Sequence, residues 1–138
     1  MKKSSSFRTG RTCVFDIHIH LVFVTKYRRK IFTKIVLIEL EKIFSHVCQK
    51  FEAELIELNG EHDHVHLLVN YPPKTSVSKL VNSLKGVSSR MLRKEKFPSI
   101  KESLWGNALW SPSYFAASCG GAPLEIIQRY IQNQSSPE

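Results

Sequence analysis

The run VFDIHIHLVFV at positions 14–24 is β-branched and aromatic almost without interruption. Such a segment suits a central strand, covered on at least one face. The rest of the chain has to supply partners and cover for it. KIVLIELEKIFSHVCQKF (34–51) spaces Ile35, Leu37, Ile38, Leu40, Ile43, Phe44 and Val47 two to four apart, the pattern of an amphipathic helix. Strand character returns in AELIEL (53–58) and HVHLLV (64–69). Asn59-Gly60 between them predicts a short hairpin turn. Val77, Leu80, Leu84, Val87 and Met91 then recur every three or four residues through a second helix. ALWSPSYFAAS (108–118) reads as a further strand, which Pro112 restricts to an edge or bulge. Gly120-Gly121 closes it, and Pro123 suits the first turn of a last helix reaching Gln134.

This order, β-α-β-β-α-β plus a terminal helix, predicts an α+β fold of the ferredoxin-like split βαβ type, with an antiparallel sheet and one open face. At 138 residues the chain has the size of one ordinary domain. We place that single domain at 13–138, behind a flexible basic arm, MKKSSSFRTGRT (1–12). A hydrophobic fraction of 42% and a charged fraction of 23% argue against wholesale disorder and collagen-like chains. The basic N-terminus lacks the apolar run of a signal peptide or membrane span, so no membrane association is expected. Cys13, Cys48 and Cys119 are odd in number and lack a CxxC pattern. Neither a disulfide framework nor a zinc finger is indicated, and a reducing, cytoplasmic setting fits best.

Lys and Arg outnumber Asp and Glu by 20 to 12, giving a charge of +8. That balance favours a polyanion, either nucleic acid or an acidic membrane surface. Two clusters favour the former. The second helix carries Lys79, Asn82, Ser83, Gly86, Arg90 and Arg93 opposite its apolar stripe, where a low glycine permits close approach to phosphates. After the first strand, Lys26-Tyr27-Arg28-Arg29-Lys30 forms a cationic loop around an aromatic that stacks or packs. Lys26, Arg28, Arg29, Lys79, Ser83, Lys85, Arg90 and Arg93 are the candidate DNA contacts.

Two triplets, His18-Ile19-His20 and His64-Val65-His66, have the same form. Residues two apart on a strand share a face about 7 Å apart, from where both imidazoles can lean onto one cation. Either triplet meets that condition, and either is also satisfied as two histidines on a strand face. His62 shares the parity of His64 and His66 but is read as a turn residue.

HLVFVTKYRRKIF (20–32), DHVHLLV (63–69), SLKGVSSRMLR (83–93), LWGNALWSPSYF (104–115) and PLEIIQRYIQNQ (123–134) occur in this order. The set resembles the single-tyrosine HUH transposases of insertion sequences over nearly the whole chain. The resemblance implies metal-dependent cutting and rejoining of single-stranded DNA at hairpin-bearing element ends through a 5′-phosphotyrosine. It places the HUH histidines on His64 and His66, the nucleophile on Tyr130 and a third metal ligand on Gln134, with magnesium or manganese as the metal. Imidazole ligands suit manganese better. His18 falls where no ligand is expected. His20 matches a common family residue, and adjacency of the first and third strands would bring it beside the site. Tyr114 is read as structural. A homodimer sharing its active sites is also implied, with Gly120-Gly121 as a candidate hinge. Two other readings stay open: a non-catalytic ferredoxin-like RNA-binding module, and a domesticated HUH nuclease acting on host repeats.

Overall fold

The computed structural model describes residues 7–95, 97–104, 108–118 and 124–134. A small hairpin comes first, β1 (Arg8–Thr9) paired with β2 (Val14–Phe15). β3 (His18–Val24), α1 (Lys34–Lys50), β4 (Glu54–Gly60), β5 (His64–Asn70), α2 (Val77–Lys94), α3 (Pro98–Leu104), β6 (Phe115–Ser118) and α4 (Leu124–Gln132) follow. The main sheet is antiparallel with order β4-β5-β3-β6. This is the split βαβ order, with the strongly apolar β3 in the interior as its composition demands.

Alternation along β3 and β5 separates two faces. Leu21, Phe23, Val65, Leu67 and Val69 are fully buried under α1 and α2, together with Val36, Leu40, Phe44, Leu80 and Leu84. Trp110 joins them, its ring 5.6 Å from Phe23 and 5.3 Å from Phe32, and its indole N–H donates to the buried Ser88 hydroxyl at 2.9 Å. Each fully buried Phe or Leu here contributes roughly 1.5–3 kcal/mol by leaving water. Register puts His20, Val22 and Val24 on the opposite face, with His64 and His66 beside them. Helix caps match the chemistry of their residues. Thr33 accepts from the Val36 amide and Ser76 from the Lys79 amide. Glu52, at φ 57°, turns the chain from α1 into β4.

Three expectations need correction. Asn59-Gly60 is not the hairpin turn, because both residues belong to β4 and pair with His66 and Val65, leaving the reversal to residues 61–63. Glycine is needed at position 60 for space: a Cβ there would meet Leu37 Cδ2 at 2.7 Å and Val65 Cγ1 at 3.1 Å. The strand expected over 108–118 is split around Pro112, which has no N–H. Trp110 bridges Thr25 before it, and β6 starts at Phe115. The run 14–24 breaks at Asp16-Ile17, so its first two residues belong to the small hairpin. Of the stretch 1–12, expected as a flexible arm, Arg8 donates to Asn70 Oδ1 at 2.9 Å and the Glu52 carbonyl at 2.7 Å. α3 was not anticipated. Gly120-Gly121, Pro123 and Cys119 lie outside the described residues.

Candidate functional site

His64 and His66 project from β5 into an open cleft of about 660 Å³. Arg28, Lys30, Asn59, Gly60, Glu61, His62 and Asp63 line it from the loops and β4, and Gln128, Ile131 and Gln132 line it from α4. The histidine rings lie 5.0 Å apart, edge to face.

What surrounds each imidazole fixes which nitrogen it offers. Asp63 Oδ1 lies 2.8 Å from His64 Nδ1, so that nitrogen donates to the carboxylate and leaves Nε2 with its lone pair. His66 Nδ1 lies 3.3 Å from His20 Nε2, and with Nδ1 as the donor of that pair Nε2 of His66 keeps its lone pair as well. Burial, reinforced by His64 and His20, pushes the His66 imidazole down to about 4, so it stays neutral near pH 7. His20 is lowered by burial too, with Glu57 pulling the other way. A neutral imidazole lone pair is what a divalent metal requires. Among the described residues no three His, Cys, Asp or Glu side chains form a metal cage. The two histidines could hold a divalent ion together with amide, water or phosphate oxygens.

Asp63, to which the sequence reading assigned no role, connects three parts of the site. Its Oδ2 pairs with Arg28 Nε at 3.3 Å, while its backbone carbonyl accepts from the Thr25 amide at 2.9 Å and the Thr25 hydroxyl at 3.2 Å. The one available signal was its place immediately before the first histidine of the triplet. His18, by contrast, is occupied elsewhere on the sheet. Its ring nitrogens lie 3.4 Å from Asp16 Oδ1 and 3.3 Å from Asn70 Nδ2, and Asn70 in turn holds Arg8.

Within one chain, α4 places Tyr130, and the turn after its end at Gln132 places Gln134, away from the lining of this cleft; the helix expected to reach Gln134 stops two residues short. The Tyr130 hydroxyl is 2.8 Å from Ser113 Oγ, and its ring lies 5.7 Å from Phe115. Burial raises the phenol above its ordinary range, and the Ser113 contact partly offsets that. Gln134 Oε1 accepts from Ser111 at 2.9 Å and Ser113 at 3.2 Å. Ile131 packs on Val22 and Val24 and keeps the helix on the open face.

The candidate DNA contacts fall on two sides. Arg28 lines the cleft and Lys26 and Arg29 flank it in sequence on the same loop, whereas Lys79, Arg90 and Arg93 are exposed and Ser83 half-buried on α2, beyond the opposite face of the sheet. Lys85, expected among the outward contacts, turns inward: its ammonium donates to the carbonyls of Ser111 and Ser113 at 2.8 and 2.7 Å. Burial pushes that ammonium down to about 8.

A family described as "Transposase IS200 like" matches residues 13–134. The ISDra2 transposase TnpA of Deinococcus radiodurans is 33% identical over 131 residues, covering 95% of this chain and 93% of that protein. The transposase for insertion sequence element IS200 of Salmonella typhimurium is 34% identical over 115 residues, 83% of this chain and 74% of its own length. Among solved structures, a transposase from Deinococcus radiodurans R1 superposes with a TM-score of 0.84 at 33% identity, covering 94% of this chain and 99% of that one. A REP-associated tyrosine transposase bound to a REP hairpin superposes at 0.57 with 11% identity, covering 90% and 67%, a likeness of fold.

Proposed function

This chain belongs to the IS200-like transposase family, and from that premise we propose that it cuts and rejoins single-stranded DNA at hairpin-bearing ends through a 5′-phosphotyrosine on Tyr130. The observation carrying this reading is the histidine pair, each Nδ1 engaged by a neighbour and each Nε2 left for a ligand in a cleft bordered by Arg28 and Lys30. Such a site recognises a phosphodiester next to a cation. His64 and His66 would hold magnesium or manganese, with the Gln134 amide oxygen as a further ligand. When bound there, the ion supplies charge neutralisation and fixed geometry at the scissile phosphate.

The Tyr130 oxygen attacks phosphorus and loses its proton, and the bond to the 3′ oxygen breaks, releasing a 3′-hydroxyl. Attack of a 3′-hydroxyl on the phosphotyrosine reverses the step without an outside energy source. Its present partner, Ser113, holds the phenol outside the cleft lining, and burial keeps it protonated. Chemistry therefore requires α4 to bring Tyr130 and Gln134 to a histidine pair. In our reading that pair is the one in a second copy of the chain, so a homodimer shares its sites. Arg28 and Lys30 then bind the strand near the cut, while Lys79, Ser83, Arg90 and Arg93 meet the hairpin phosphates on the other side.

The test is incubation of single-stranded DNA from either flank of the reading frame with magnesium or manganese. Single-strand cleavage that spares the duplex, and that His64→Ala or His66→Ala abolishes while DNA is still bound, is the expected result. Binding without cleavage by the wild-type protein would favour a non-catalytic nucleic-acid module.

A further inference from the structure

Tyr27 has an unusual backbone and an unusual exposure. It lies in the short 3₁₀ turn Lys26–Arg28 with φ 61° and ψ 19°, and Arg28 follows at φ 54°. Two consecutive non-glycine residues in the left-handed region are strained and persist only where the surroundings enforce them. Here they do. Thr25, fully buried, accepts the Arg28 amide on its carbonyl at 2.9 Å and donates its hydroxyl to the Arg29 carbonyl at 2.8 Å. The Lys26 amide is held by the Leu109 carbonyl at 3.0 Å, and the Ile31 and Phe32 amides by the His62 carbonyl. The loop is thus fastened to the same reversal, residues 61–63, that leads into His64.

All this enforcement leaves an aromatic ring outside the core. Tyr27 is 41% exposed and, among the described residues, joins neither apolar cluster, so packing there does not account for it. Lys26 Nζ and Arg29 Cζ flank the ring at 5.4 and 5.5 Å from its centroid, and the next residue, Arg28, lines the cleft. An exposed ring between cations beside a phosphate-binding cleft has the composition of a single-strand stacking platform. Long flexible cations are able to move from the ring to the phosphates flanking a stacked base.

We propose that Tyr27 stacks on an unpaired base of the strand entering the His64–His66 cleft, with Lys26 and Arg29 on the adjoining phosphates, so that the strained turn sets how far the strand advances before the cut. This rests on the function proposed above, but its test needs neither metal nor cleavage. Fluorescence anisotropy in EDTA compares a short labelled oligodeoxyadenylate with an abasic strand of equal length, which keeps the phosphates and lacks the bases. Tyr27→Leu should weaken binding to the adenylate by about five- to a hundredfold, the range base–aromatic stacking produces, and leave abasic binding within about twofold. Tyr27→Trp should retain the preference for bases. Tyr27→Gly, which relaxes the positive φ, should melt no lower than wild type yet bind like Tyr27→Leu. Equal affinity of Tyr27→Leu and Tyr27→Gly with wild type for the adenylate, or an equal loss on both strands, would overturn the proposal. A failure of the strand-transfer reading would be seen only in cleavage assays and leaves this comparison intact.

Discussion

Asp63 holds His64, carboxylate to Nδ1 at 2.8 Å, and at the same time holds Arg28 at 3.3 Å. The carboxylate orients the imidazole, while the arginine fixes the carboxylate. Removing such an outer partner typically lowers metal affinity or activity about 10- to 100-fold. Asp63→Ala should therefore weaken manganese binding by that factor in calorimetric titration. Asp63→Asn, which retains a neutral acceptor, should fall between. Wild-type affinity in both variants would show that the contact is incidental.

His18 and His66 should part company under substitution. His66→Ala removes a proposed metal ligand, and should abolish metal-dependent cleavage with little effect on melting. His18→Ala instead removes two contacts, to Asp16 and to Asn70, from a nearly enclosed position, while Asn70 keeps Arg8 and Asp16 as partners. It should cost about 1–3 kcal/mol of stability while the folded fraction still cleaves. Urea denaturation and cleavage assays on both variants check this. Loss of cleavage in folded His18→Ala would mean that the other triplet carries the site.

Lys85 predicts a pH signature. Its ammonium, lowered by burial to about 8 from an ordinary 10.5, is still protonated in the unfolded chain across that interval. The unfolded state therefore binds more protons there, and stability rises with pH from about 8 toward 10.5. In Lys85→Met that slope should diminish by at most about one proton. Denaturant midpoints across this pH range measure it, and identical slopes for both proteins would contradict the assignment.

Gly60→Ala tests the close approach of α1 to β4. The added Cβ would press on the Leu37 side chain at 2.7 Å, and overpacking of this kind costs about 1–3 kcal/mol. Adding Leu37→Ala should recover part of the loss, giving a positive coupling in a double-mutant cycle. Simple additivity would locate the constraint elsewhere.

The change of apolar period along the chain made the strand and helix order legible, because alternation in 64–69 and three-to-four spacing in 77–91 follow from which side meets the core. Two-residue parity placed both histidine triplets on one face, but His18 and His64 have different neighbours that only the folded sheet supplies. Asn59-Gly60 has turn chemistry locally. Packing against Leu37 uses the same glycine for space, and local propensity carries no record of that. The surroundings of Asp63, Lys85 and Tyr27 are not legible in the sequence for a related reason. A carboxylate bridging two residues, an ammonium capping a loop of distant sequence and a strained φ are products of contacts between loops. The resemblance supplied Tyr130 and Gln134, which nothing in the helix pattern alone distinguishes from packing residues.

Tyr130 is the proposed site of the covalent link to DNA. After reaction of single-stranded end DNA with the wild-type protein and manganese, nuclease trimming, proteolysis and mass spectrometry should locate a nucleotide 5′-phosphate on the tyrosine of the peptide containing QRYIQNQ. Tyr130→Phe should bind the same DNA and yield no adduct. An adduct mapped to Tyr114 or Tyr27, or cleavage that survives Tyr130→Phe, would contradict the account.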